Sequence, residues 1–146
     1  MIRQIEEGEV HKIAKFGKRF MIEGEVPGKL RRSVFTSNWA MLINSGSGVI
    51  WGAFDGERVI GALGALQYPD LNDGELVVTE TFWFVDSEYR GKAGLQLFNI
   101  FEKWAVSIGA KRIIMGHLNK LLSDKLKIFY NRKGYEAFET HYVREV

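Results

Sequence analysis

One α/β domain of α+β character, with a single mixed, mainly antiparallel central sheet flanked by helices, follows from three observations. Apolar residues recur at helical spacing in the first third of the chain and in two later stretches. Between them lie apolar runs separated by turn sequences, from "GVIWGAF" to "LVVTETFWFV". A helical stretch then divides two apolar strands, and a crossover of that kind forces parallel pairing.

In chain order, Ile2 to Ile5 reads as a short edge strand. Val10, Ile13, Ala14, Gly17, Phe20 and Met21 lie on one helical stripe, predicting a helix over about Glu9 to Ile22 that "EGEVPGK" breaks. Phe35, Trp39 and Leu42 mark a second helix, stopped at "NSGSG". "GVIWGAF" and "RVIGALGALQY" flank Asp-Gly, a strong hairpin signal, and Gly61 and Gly64 within the second run predict a bulge or a close neighbour. "PDLNDG" turns the chain into a strand over Glu75 to Val85. Leu97, Phe98, Phe101, Trp104, Ala105 and Ile108 form the next helix face, closed by Gly109. "KRIIMGH" is a short strand; Leu118, Leu122, Leu126 and Phe129 predict a helix ended by Gly134; and "YEAFETHYVREV" reads as one or two final strands.

The 146 residues suit one domain, 1–146, with 46% apolar and 26% charged residues as in soluble globular proteins. The absence of cysteine excludes disulfides and thiolate chemistry. No run approaches the ~18 apolar residues of a membrane span, and the N-terminus lacks a signal-peptide core, so the expected location is the cytoplasm. His11, His117 and His141 are scattered, and no metal is expected. A net charge of +2 argues against a nucleic-acid partner, although "KFGKR" and "KLRR" concentrate basic residues.

The chemistry-bearing stretch is "VDSEYRGKAGLQLF", Val85 to Phe98. A helix starting there leaves its first amides unpartnered at the positive end of the helix dipole. Gly91, Ala93 and Gly94 let an anion approach those amides, and Arg90 and Lys92 add full charges, so the loop reads as a phosphate cradle. A ligand-free strand-to-helix turn is the plainer alternative. Strict alternation puts Glu80 on one strand face with Leu76, Val78, Phe82 and Phe84, and a carboxylate among apolar neighbours acquires a raised pKa suited to a general base. The competing readings are a solvent-facing strand or a cross-sheet ion pair. Tyr130, in "FYNRKGY", stands at a helix end as a proton donor or as a packing tyrosine.

The loop in "FVDSEYRGKAGLQLFNIFEKWA" and the later "FYNRKGY", about forty residues apart with a strand between them, resemble two motifs of the GNAT superfamily of N-acetyltransferases. The order of elements fits over nearly the whole chain. The loop departs from the family pattern in that Gly94 comes one residue early, giving a compact pyrophosphate loop. The resemblance implies acetyl-CoA or another acyl-CoA as co-substrate. Its pyrophosphate would rest on the amides of Gly91, Lys92, Ala93, Gly94 and Leu95, with charge from Arg90 and Lys92. Its pantetheine would run along Phe84 and Val85, and a backbone N–H near Phe84 would polarise the thioester. Glu80 becomes the general base, with His117 the alternative, and Tyr130 the acid to the departing thiolate. The acceptor is an amine, small or protein-borne, lying over Phe20 to Asn44 and "PDLNDG", where Glu23, Glu25 and Asp70 oppose "KLRR". A non-catalytic acyl-CoA sensor on the same fold is the rival reading, and a homodimer stays open.

Overall fold

The computed structural model describes residues Met1–Val146. Its five strands lie in sequence order across one sheet: β1 (Ile2–Gln4), β2 (Gly48–Asp55), β3 (Arg58–Pro69), β4 (Leu76–Val85) and β5 (Arg112–Ile114). The first four pair antiparallel, and only β4–β5 is parallel. Helices α1 (Val10–Glu23) and α2 (Arg32–Asn44) cover one face. Helix α3 (Lys92–Ser107) covers the other and is the crossover that makes β5 parallel, while α4 (Ser123–Arg132) follows β5. No helix is long and apolar enough to cross a membrane.

Each face has its own core. Val10 and Ile13 of α1 and Trp39 of α2 meet Ile50, Phe54 and Ala62 of the sheet. Phe101 and Ala105 of α3 meet Val49, Leu63, Ala65 and Val78. Near the end of β4, Val85 packs with Leu97, Ala53 and Ile60 and joins α3 to the sheet.

The β4 strand does not alternate throughout. Phe82 lies opposite Gly64 and Glu80 opposite Ala65, so Thr81 is an extra residue, a bulge whose hydroxyl donates to the Gly64 carbonyl at 3.0 Å. Residues directly opposite one another share a face. Glu80 therefore sides with Ala65 and Trp83 with Leu63, toward α3, whereas Phe82 and Phe84 turn toward α1 and α2. The strict alternation expected from the sequence, with Glu80 beside Phe82 and Phe84, is broken at this one residue. A second register shift lies between Ala53 and Phe54, opposite the Gly61 end of β3. Both glycines expected at bulges or close contacts are thus accounted for.

Two expectations are corrected at the C-terminal end. Leu118 and Leu122 precede α4 rather than belonging to it: Leu122 has φ +54°, a left-handed conformation that an α-helix cannot continue through, while Leu118 packs by Gly24. The tail after Tyr135 forms no strand. No backbone hydrogen bond involves residues 136–146, and Phe138, Tyr142 and Val143 are exposed. Alternating apolar residues make a strand only when another strand pairs with them, and none does here.

Gly64 has no room for a side chain, since an added Cβ would sit 2.3 Å from the Phe82 ring. Gly64→Ala is expected to cost about 1–3 kcal/mol through overpacking. Gly8→Ala, where a Cβ meets nothing, should be nearly neutral; urea unfolding of both variants measures the difference.

Candidate active site

The short β5 creates a cleft. Its pairing with β4 covers only Val77, Val78 and Thr79, and beyond them the strands part, leaving the β5-facing edge of Glu80 to Val85 without a partner strand. The mouth of this opening is built around Gly116. The Glu80 carboxylate accepts the Gly116 N–H at 3.0 Å, and the Tyr130 hydroxyl donates to the Gly116 carbonyl at 2.7 Å. One residue thus holds the two side chains that the sequence nominates for proton transfer. Desolvation raises the Glu80 pKa from 4.5 to about 7, and the Gly116 N–H only partly offsets it.

Tyr130 is 8% exposed, walled by Trp83, Phe129 and Tyr135. Burial first, then the charges of Glu80 and Tyr135, push its phenol well above the usual range, so it stays protonated. His117 is adjacent, but its Nδ1 lies 3.2 Å from the Ser123 hydroxyl, a contact that ties it to the start of α4.

The loop between β4 and α3 is pinned from below. Asp86, 3% exposed, takes the guanidinium groups of Arg19 from α1 and Arg58 from β3. Sequence reading passed over Asp86, although an acid ending the run "LVVTETFWFV" is itself a signal that something must neutralise it. After a 3-10 turn over Ser87–Tyr89, Gly91 takes φ +94° and ψ −86°, a conformation closed to residues with a side chain, and α3 begins. The Leu95 amide, expected among the pyrophosphate donors, already donates to the Gly91 carbonyl at 2.9 Å and closes the first turn. The amides of Gly91, Lys92, Ala93 and Gly94 precede any intrahelical acceptor. Gly94 is buried against Trp83 and Val85, and Ala93 packs at the Val85 cluster.

The two basic residues of the loop behave differently. Arg90 turns back, donating to the Val85 carbonyl at 3.0 Å and to Glu23 at 2.6 Å, and its guanidinium lies over the Phe84 ring. Lys92 is exposed and forms no ion pair. On the opposite face of β4, a cavity of about 420 Å³ lies between α1, α2 and the strand; Thr81, Phe82 and Phe84 form its floor.

The sheet is thus antiparallel up to one parallel strand pair that parts beyond Thr79, with the N-terminus of α3 beside the gap. Residues 18–135 match the Acetyltransferase (GNAT) family, and the chain belongs to it. Members of that family use acetyl-CoA. Three solved structures show the same fold at low sequence identity. An acetyltransferase of Trypanosoma brucei is 21% identical, with a TM-score of 0.75 over 100% of this chain and 99% of that one. An aminoglycoside acetyltransferase from an uncultured soil metagenomic sample, in complex with sisomicin, is 13% identical, with a TM-score of 0.79 over 100% and 95%. A predicted acetyltransferase of Clostridium acetobutylicum with acetyl-CoA is 12% identical, with a TM-score of 0.80 over 99% and 95%. No curated protein sequence matches the chain.

The raised Glu80 pKa has a consequence for stability. A carboxyl that holds its proton more tightly when folded stabilises the fold fully below its unfolded value near 4.5; that contribution is lost as pH rises towards about 7. Glu80→Gln keeps an acceptor for the Gly116 N–H and removes the charge. Between pH 4.5 and pH 7 the stability of the natural protein should therefore fall, relative to the variant, by on the order of 2 kcal/mol. Denaturant titrations at several pH values test this.

Proposed function

We propose that the protein acetylates a primary amine by direct transfer from acetyl-CoA, with Glu80 as general base and Tyr130 as general acid. The observation that carries this reading is the shared anchor at Gly116, which holds a carboxylate of near-neutral pKa and a phenol protonated at rest at the opening between β4 and β5. The pyrophosphate of the cofactor is assigned to the free amides of Gly91 to Gly94, with Lys92 as the uncommitted cation. Arg90, balanced by Glu23, holds the loop to α1 and backs the site with its charge. The pantetheine is assigned to the unpaired edge of β4 alongside Phe84 and Val85, as a peptide adds to a sheet edge. There the Val85 carbonyl is already taken by Arg90, leaving amides near Phe84 to polarise the thioester carbonyl.

In the reaction the amine nitrogen attacks the thioester carbonyl and the N–C bond forms. Glu80, directly or through a water, takes the proton that nitrogen sheds. The C–S bond then breaks, and the electron pair leaves on sulfur. Tyr130 swings its hydroxyl from the Gly116 carbonyl to that sulfur and protonates it, giving free CoA and the amide. As the products leave, Glu80 releases its proton to solvent and the phenolate regains one, which restores both groups.

Two outcomes are expected. With the amine's own ionisation allowed for, kcat/KM should rise with pH through a limb near pH 7 that is absent in Glu80→Gln. Glu80→Gln and Tyr130→Phe should each lower kcat by about 100-fold, the usual scale of general acid–base catalysis. If both variants retain full transfer at neutral pH, the assignments are wrong. Calorimetry with CoA tests the loop separately. Gly91→Ala should bind about tenfold more weakly, because a side chain forces the loop out of its positive-φ conformation. Gly94→Ala, whose Cβ would meet neighbours at an ordinary 3.7 Å, should stay within about twofold.

A further inference from the structure

The cavity on the α1–α2 side of β4 has a chemical character that the sequence alone left balanced. Eleven of its sixteen lining residues are hydrophobic. Its centre is aromatic: Phe82 stands at ring-centroid distances of 5.5 Å from Trp39, 6.2 Å from Phe35 and 6.4 Å from Phe20. At about 420 Å³ it falls within the range of small-ligand sites. Thr81 lines it, while Glu80, its neighbour in β4, faces the other side of the sheet, so an amine seated in the cavity meets the carboxylate through the gap left where β5 stops pairing after Thr79.

The charges around it do not cancel. Glu23 is committed to Arg90 at 2.6 Å. Asp70 takes the Asn72 N–H at 2.7 Å and lies 3.7 Å from Arg112, in the turn before β4. Glu25 is exposed and outside the lining. No carboxylate faces the cavity at all. Two cations do: Lys29 and Arg31, from the segment joining α1 to α2, line it, are exposed, and form no ion pair. A polycationic acceptor would meet uncompensated positive charge there and no counter-ion. An aromatic or branched apolar body with one anionic group would bury its carbon against Phe82 and present its acid to Lys29 and Arg31.

From this cavity we infer that the acceptor is a primary amine with an aromatic or branched apolar body and a carboxylate, of about the size of a single amino acid. The inference rests on the transferase reading above and adds the substrate class to it.

The test measures acetyl-CoA-dependent CoA release with phenylalanine, para-aminomethylbenzoate, the amides of both, which lack the carboxylate, glycine and spermidine. At least one aromatic acid should exceed its own amide, and glycine and spermidine, by about tenfold in kcat/KM, the scale of one charge-assisted contact. That acid-over-amide preference should collapse in the double variant Lys29→Ala/Arg31→Ala, whose replaced side chains are exposed and leave the core intact. If spermidine or glycine is the best substrate, or if the preference survives in the double variant, the substrate class is wrong and the transferase reading stands. If no amine is acetylated, the transferase reading falls. Calorimetry with phenylalanine then decides the cavity: heat that disappears in the double variant supports the class, and no heat at millimolar phenylalanine overturns it.

Discussion

The one extra residue in β4 is the constraint on which the site depends. Without the bulge, with Thr81 paired like its neighbours, the strand would alternate strictly, and Glu80, Phe82 and Phe84 would all face the same helices. With it, one strand serves two chambers. Glu80 and Trp83 look toward α3 and α4, where Gly116 and Tyr130 meet them, and Phe82 and Phe84 look toward α1 and α2, where they floor the apolar cavity. The bulge is held on both strands, by the Thr81 hydroxyl on the Gly64 carbonyl and by the Phe82 ring lying where Gly64 has no side chain. A bulge so fixed is a designed feature of a sheet rather than a defect.

What could be read in the sequence, and what could not, divides along a physical line. Features that depend on neighbours in the chain were legible. Helical spacing located α1, α2 and α3, Asp-Gly located the β2–β3 hairpin, and small residues after an apolar strand marked the loop at Gly91. Glu80 and Tyr130 were legible as a polar residue in an apolar run and a tyrosine in a helix-end motif. Features that depend on distant partners were not. Nothing near Arg90 signals that Glu23 would claim it, and nothing near Asp86 names Arg19 or Arg58. The bulge was hidden because Thr79 and Thr81 look alike in a strand, so Glu80 was grouped correctly with Val78 but wrongly with Phe82 and Phe84, although its raised pKa was anticipated correctly. The final strand was over-read for the same reason: alternation records what a strand would need, not whether a partner exists.

Buried charge in this fold is spent mostly on holding the site together. Asp86 gathers arginines from α1 and β3 beneath the loop, and Arg90 ties the loop back to α1 through Glu23. Asp86 alone among these groups is buried and would be left without a counter-charge if its arginines were removed, whereas Arg19, Arg58, Arg90 and Glu23 all reach solvent. These contacts also remove Glu23 and Arg90 from the set of groups free to meet a ligand. Lys92 at the start of α3, and Lys29 and Arg31 on the lining of the apolar cavity, stay free of ion pairs.

In the proposed reaction, Gly116 accounts for the timing of the two proton transfers. Its N–H stabilises the ionised form of Glu80 and offsets part of the desolvation that opposes it, so the pKa stands at about 7. Its carbonyl occupies the Tyr130 proton in the resting enzyme. A thioester sulfur is a poor hydrogen-bond acceptor and cannot compete with that carbonyl; a thiolate is a strong one and can. The phenol therefore leaves Gly116 only as charge develops on sulfur, so its contribution is made in the transition state and not in the ground state, where it would not accelerate the reaction.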